Sequence, residues 1–179
     1  MLEQLDLKDF DSLYALMELS FPNDERRSYQ DEKNYLATTR HQAAVARGGD
    51  QSIAGYITYT ECEEFVFLES FAVNPELRSN GLGGKILEEM KAAYDKRMVL
   101  EVELPENEMA RRRINFYKRH GFSYNDYPYI LPSLGEGKQA IPLRIMTTRG
   151  PVDEAEYEKI KTTLYNDVYQ VDERSLRHE

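Results

Sequence analysis

A single mixed α/β domain is what this sequence predicts, on three observations. Helical and extended hydrophobic periods alternate along the chain, no internal repeat or low-complexity linker interrupts them, and 179 residues suffice for one core of ordinary size. Leu13, Leu16, Met17 and Phe21 recur at helical spacing after Asp9 and Asp11, either of which suits a first helix cap, and the helix should end at Phe21-Pro22. Glu25-Arg26-Arg27-Ser28 opens a second short helix through Thr39, so a charged elbow joins the two. The period then changes. Ala43 to Arg47, a Gly48-Gly49-Asp50 turn and Ser52 to Thr60 read as a hairpin, and Phe65 to Val73 as a third strand. Leu82 to Lys96 is helical, Met98 to Leu104 extended and Glu108 to His120 helical; Gly121-Phe122 starts another strand, and Ile141 to Thr147 fits the last. Beyond Gly150-Pro151, Tyr157, Ile160, Leu164 and Val168 form a helical stripe. Residues 150–179 are therefore expected as a helical extension packed on a domain of residues 1–149.

Composition narrows the function classes. The formal charge is −9, with 32 acidic residues against 23 Lys and Arg, which argues against nucleic acid as a partner and suits a cationic one. One cysteine, Cys62, rules out an internal disulfide and is compatible with a reducing cytoplasm. No stretch approaches the roughly 18 apolar residues of a membrane span, so a cytoplasmic protein without a membrane partner is expected. His120, just before Gly121, reads as a helix C-terminal residue favoured by the helix dipole. His41 and His178 show no ligand spacing, and no metal is predicted.

The informative stretch runs from Phe65 to Met90. Its apolar strand meets Asn74-Pro75, where proline stops the ladder, and the chain enters a helix through Arg78-Ser79-Asn80-Gly81-Leu82-Gly83-Gly84. Backbone amides would converge there at a helix N-terminus with few Cβ atoms in the way, a cradle suited to a pyrophosphate. A glycine-rich turn without a ligand is the plainer alternative. A Walker A loop is excluded because Ile86 follows Lys85 and Ser79 stands where the first glycine belongs; a dinucleotide fingerprint is excluded because Ile86 replaces its third glycine.

Arg78-x-x-Gly81-x-Gly83, directly after the strand end Phe71-Ala72-Val73-Asn74-Pro75, resembles the acyl-CoA pyrophosphate loop of the GNAT superfamily of acetyl-CoA-dependent N-acetyltransferases. Ile114 to Phe122, with Tyr117-x-x-x-Gly121-Phe122, is similar to that family's second signature. The resemblance covers roughly residues 1 to 148. It implies a mostly antiparallel central sheet whose fourth and fifth strands run parallel and splay apart, flanked by helices, with acetyl-CoA as cosubstrate in the cleft. Backbone groups of Phe71, Ala72 and Val73 would meet the pantetheine like an added strand, and Arg78, Ser79, Asn80, Gly81, Leu82, Gly83 and Gly84 would hold the pyrophosphate. Many members carry Asn seven residues before the tyrosine; this chain has Ala110, and Asn107 or Asn115 is the available substitute.

Direct attack of a primary amine on a thioester needs a neutral nucleophile, an oxyanion donor and a proton source for the thiolate. The resemblance points to a backbone N–H near Phe71 to Val73 for the donor. Glu69 is the candidate base: it interrupts an apolar strand, and alternation puts it on one face with Phe67, Phe71 and Val73. Its plainer reading is a structural pair with a nearby Tyr or Arg. Glu101 or Glu103 on the facing strand also suits proton relay. Tyr117 is the candidate acid, because a phenol with pKa near about 10 can protonate a thiolate of similar basicity; packing the helix on the sheet is its alternative role. Arg111 to Arg113 reads as a solvated helix face or a phosphate clamp. The resemblance implies an acceptor held by Pro22 to Arg27 and by Tyr124 to Leu134; Tyr124, Tyr127 and Tyr129 beside Asp126 suit a cation there, and a surface strand of high β-propensity is their plainer reading. Aminoglycoside, polyamine, amino acid and peptide N-terminus all survive as acceptors. Two other classes stay open: a non-catalytic acyl-CoA-binding module, and an adaptor that forms a homodimer through the helix from Val152 to Val171.

Overall fold

The computed structural model describes residues 1–78 and 80–178, with residues 177 and 178 described by backbone alone. In chain order the elements are β1 (Glu3–Gln4), α1 (Phe10–Ser20), α2 (Tyr29–Thr38), β2 (His41–Arg47), β3 (Ile53–Glu61), β4 (Phe65–Val73), α3 (Leu82–Ala93), β5 (Arg97–Glu103), α4 (Glu108–Arg119), β6 (Ser123–Leu131), β7 (Ile141–Thr147) and α5 (Glu154–Thr163). They build one seven-stranded sheet of order β1-β2-β3-β4-β5-β7-β6. Its neighbours are antiparallel except β4 and β5, which run parallel, as the expected fold class requires.

Local chemistry sets the boundaries. The second helix begins later than Glu25 because Ser28, not Glu25, is the capping residue: its hydroxyl accepts from the Asp31 amide. Asn23–Glu25 forms only a 3-10 turn, and Arg26 is extended. This frees Arg27 from a helix and lets it turn toward the sheet. Helix α3 stops at Ala93, short of Lys96, because Tyr94 is already extended at φ −131°. Asn107 caps α4 by accepting from the Ala110 amide, and Asp153 with Glu156 closes a reciprocal capping box on α5. From Leu164 to Tyr169 the C-terminal helix widens into a π-helical turn, which Gln170 ends at φ +55°.

Packing places helices on both faces of the sheet. Ile86, Leu87 and Met90 of α3 and Ile114 and Tyr117 of α4 bury themselves against Val66, Leu68, Met98 and Leu100. On the other face Tyr157, Ile160, Leu164 and Val168 pack on Phe67, Val99 and Ile145, while Phe10, Leu13 and Met17 cover Val45 and Tyr56. No helix among the described residues is long and apolar enough to cross a membrane.

Two breaks in the ladder create the site. The β4–β5 pairing ends at Leu68↔Leu100, so the strands part just before Glu69 and Glu101. At the same level β4 carries a bulge: Thr58 faces Ser70 and Tyr59 faces Leu68, leaving Glu69 as the extra residue. The bulge overturns the expected alternation. Val66 and Leu68 share the α3–α4 face with Phe71 and Val73, whereas Phe67 packs on the opposite face. An extra residue shifts the parity of everything after it, so Glu69 does not stand with Phe71 and Val73.

Candidate functional site

A cleft of 780 Å³ occupies the gap between the separating strands. Its walls combine β4 from Leu68 to Val73, β5 from Leu100 to Glu103, the N-terminus of α3, and Met109, Arg113, Phe116 and Tyr117 of α4. Beyond Leu68 the β5-facing edge of β4 has no strand partner, so its backbone is available to an extended ligand. Phe71, Ala72 and Val73 line the cleft as expected.

At one end stands the glycine loop. Gly81 is the N-cap of α3 at φ +72°, a left-handed conformation that favours glycine, and nothing lies within 4 Å of where its Cβ would be. The first amide of the helical ladder, from Lys85, bonds the Gly81 carbonyl, so the amides of Leu82, Gly83 and Gly84 precede the ladder. Among the described residues no side chain caps them, in contrast to α2, α4 and α5. Uncapped amides at a helix start are an anion site, and Gly81 to Gly84 all line the cleft. Gly84 is small for another reason: a Cβ there would come within 2.6 Å of the His120 ring. Arg78 also lines the cleft and donates from Nε to the Val73 carbonyl at 3.3 Å. Ser79 lies outside the described residues, and Asn80 is exposed in the loop without lining the cleft.

Charge differs along the cleft. Arg78 and His120 stand by the glycine loop, where Arg78 bonds the Val73 carbonyl and the His120 ring lies against Gly84, while Glu69 and Glu101 flank the split in the strands. Glu25, Glu103, Arg112, Arg113 and Arg119 line the cleft as well. The Arg111–Arg113 run divides: Arg111 is exposed and donates to the Pro105 carbonyl, Arg112 pairs with Glu108 on the exposed helix surface, and Arg113 pairs with Glu103 at 2.5 Å. Asn115, expected as a possible cofactor contact, is exposed and does not line the cleft. It stands two positions before Tyr117, a rotation of about 200° around a helix.

Tyr117 is buried, and its ring packs between Phe71, Phe116 and Phe122. Its hydroxyl has no hydrogen-bond partner among the described residues, and burial pushes the phenol up to about 12. It stays protonated at neutral pH and faces the cleft.

Glu69 sits in a buried ionic network that sequence spacing did not disclose. Arg27, 42 positions earlier, pairs with its Oε1 and also reaches Glu32 Oε2 at 3.4 Å. The guanidinium lies 3.9 Å over the Tyr35 ring. His41 approaches Glu32 Oε1 at 3.3 Å and Glu69 Oε2 at 3.4 Å. Burial pushes Glu32 up, but hydrogen bonding to His41 and the charge of Arg27 hold it below the usual carboxylate range. Among the described residues, the buried side-chain polar atoms without a hydrogen bond are Ser20 Oγ and Glu69 Oε2, and both residues line the cleft.

Glu101, across the split from Glu69, has a different environment. Tyr129 Oη donates to its Oε1 at 2.5 Å, and Tyr169 Oη lies 2.9 Å from each oxygen. Burial raises this carboxyl to about 7, against the lowering effect of those two hydroxyls. It can therefore exchange a proton near neutrality, as a base must. Of the expected acceptor tyrosines, Tyr129 reaches the site, Tyr127 stacks on Tyr157, and Tyr124 packs beside Lys118. Tyr169 carried no recognisable motif in the sequence.

Residues 10–122 match the model of the Acetyltransferase (GNAT) family. A solved structure from Bacteroides thetaiotaomicron, described as an acetyltransferase from that family, is 34% identical, with 96% of this chain and 99% of that one covered at a TM-score of 0.87. A spermidine N-acetyltransferase SpeG variant from Vibrio cholerae superposes at TM-score 0.60 with 13% identity, covering 83% of this chain and 94% of that one. An aminoglycoside 6'-N-acetyltransferase complexed with coenzyme A does so at 0.59 with 15% identity over 83% and 96%. These two share the fold. No curated protein matches the chain.

Proposed function

The chain belongs to the acetyltransferase (GNAT) family, and from that premise we propose that it transfers the acetyl group of acetyl-CoA to a primary amine, in the cytoplasm, by direct attack within a ternary complex. The observation that carries this reading is one cleft with uncapped amides at one end, an unpartnered phenol in its wall and a carboxyl titrating near neutrality at the split in its strands.

Bound at that cleft, acetyl-CoA would supply a thioester-activated acetyl group. The amides of Leu82, Gly83 and Gly84, with Arg78 beside them, would hold its pyrophosphate, and the open edge from Phe71 to Val73 its pantetheine arm. Glu101 takes a proton from the acceptor ammonium and releases it to solvent, leaving a neutral amine to attack the carbonyl carbon; the attack makes the nitrogen cationic, and it gives its second proton to Glu101 as the amide forms. A backbone N–H at the β4 edge donates to the oxygen that becomes negative. Tyr117 gives its proton to the sulfur as the carbon–sulfur bond breaks and regains one from solvent. Its high pKa does not forbid this, because the same burial raises the basicity of a thiolate leaving beside it. The base role moves here from Glu69 to Glu101, since Arg27 already engages Glu69; Glu69 holds the elbow against the cleft and lends it negative charge.

Glu25, Glu69, Glu101 and Glu103 line the cleft; Arg27 neutralises Glu69 and Arg113 neutralises Glu103, and Glu25 and Glu101, which have no ion pair among the described residues, favour a cationic amine. That class includes the amines in the names of the spermidine and aminoglycoside N-acetyltransferases that share the fold. A non-catalytic binding module would keep the loop without needing Tyr117 open to the cleft. The deciding assay is free-CoA release across a panel of polyamines, aminoglycosides, amino acids and peptides, run beside calorimetric titration with acetyl-CoA. Turnover with a cationic amine is expected; tight binding without release from any of the panel would favour the non-catalytic reading.

Gly83→Val tests the loop. A Cβ there already meets the Phe71 and Phe116 rings at 3.4 Å, so valine's two methyls have room only by crowding the rings or entering the cleft. Methyls that enter the cleft take the pyrophosphate's space, so acetyl-CoA affinity should fall about tenfold or more; overpacking of this kind also costs about 1–3 kcal/mol, so the melting temperature should fall by about 2–12 °C with the chain still folded at assay temperature. Unchanged affinity would remove the loop from the site.

A further inference from the structure

The segment after residue 150 lies outside the matched family span, yet it sends one polar atom into the cleft region. α5 packs by its apolar stripe, and the π-helical turn from Leu164 to Tyr169 follows. A π turn offsets the side chains that follow it, and such turns are frequent at functional sites. Here Val168 remains buried in the core while Tyr169 points between the split strands, edge-on to Phe67 with ring centroids 6.1 Å apart. The turn is tied down from outside, since Tyr35 Oη donates to the Val168 carbonyl at 2.7 Å.

We propose that Tyr169 is a positioning residue for proton abstraction: its hydroxyl holds both oxygens of Glu101, fixing the carboxylate's orientation and favouring its charged form. The C-terminal extension is thereby part of the catalytic apparatus as well as of the core. The inference rests on Glu101 being the base.

Everything that faces Glu101 enters the argument. Tyr129 donates from β6, Tyr169 from the π turn, Tyr165 lies nearby in that turn, Glu69 stands across the split on β4, and Arg27 reaches in from the elbow. Glu69 disfavours a second negative charge, and Arg27 and the two donated hydrogen bonds favour it. A base must be ionised to act, so rate should rise with pH through the carboxyl's titration. Removing a donor to the charged form moves that titration upward.

The test is the pH profile of kcat/KM for wild type, Tyr169→Phe and Glu101→Gln, using an amine found active in the panel. Phenylalanine keeps the ring against Phe67. The wild type should show an acidic limb near neutrality, and Tyr169→Phe should shift it up by about one pH unit, the size of one hydrogen bond to a charged group. The shifted profile should regain most of the wild-type plateau at high pH, which damage to packing would not allow. Melting temperature and acetyl-CoA affinity check that the variant is folded. A limb that stays in place, or a loss that is flat across pH, overturns the role of Tyr169. Glu101→Gln separates the two failures: its profile should lack the limb, and a limb that survives there would show that Glu101 is not the base and remove the inference with it.

Discussion

Tyr117→Phe is expected to lower kcat about 10²- to 10⁴-fold while leaving acetyl-CoA affinity within about twofold. The change removes one hydroxyl and nothing else. The ring keeps its contacts with Phe71, Phe116 and Phe122, and because no described residue hydrogen-bonds the hydroxyl, no buried partner is orphaned. Stability should therefore hardly move, which makes the kinetic result clean. The loss should also depend on the leaving group: an acyl donor whose thiol has a lower pKa needs less protonation as it departs and should rescue part of the rate. Normal turnover in this variant, with chemistry rate-limiting, would show that water protonates the thiolate.

The second large effect concerns stability. Arg27→Ala removes the cation between Glu32 and Glu69 and exposes one face of the Tyr35 ring. Breaking a buried pair from one side leaves an uncompensated charge and costs about 3–5 kcal/mol. For a chain of this length each kcal/mol lowers the melting temperature by about 2–4 °C, so a fall of about 6–20 °C is expected by calorimetry. Arg27→Met combined with Glu69→Gln should recover part of it, because the orphaned charge leaves with its partner. A single variant that melts within about 2 °C of wild type would show the network to be dispensable. The pH dependence has a definite sign. Glu32 is held below its usual value of 4.5, so its contribution is present above that pH and is lost as pH falls through the lower folded value. Arg27→Ala should weaken this acid dependence.

The elements of the fold were legible because each is a local pattern. The strand into Asn74-Pro75, the glycines of the loop and the Tyr157-Ile160-Leu164-Val168 stripe each announce themselves within about ten residues. Glu69 and Tyr117 stood out for the same reason, one a charge in an apolar strand and the other part of a short signature. The site's wiring was not legible. A bulge has no fixed sequence mark, and Phe65 to Val73 reads equally well as one unbroken alternation. The Arg27–Glu69 pair spans 42 positions and depends on Ser28, not Glu25, starting α2. Tyr169 looked like one more tyrosine of an amphipathic helix, since its direction follows from a change of helical pitch at Leu164. Asn115 failed to reach the cleft by simple helical geometry.

The bulge at Glu69 has a consequence for how this strand can change length. On the β3 side Tyr59 and Thr58 are consecutive, and they face Leu68 and Ser70. Glu69 is thus the surplus residue, and a deletion there would let Leu68 join Ser70 with both flanking registers kept. A deletion elsewhere from Phe65 to Val73 would either keep the bulge and slide one side of the ladder, or remove the bulge and turn the residues between to the opposite face, Glu69 among them when Leu68 or Ser70 is lost. A one-codon loss at this position would turn a bulged, cleft-lining strand into a plain one and take from Arg27 and His41 the carboxylate that faces them both.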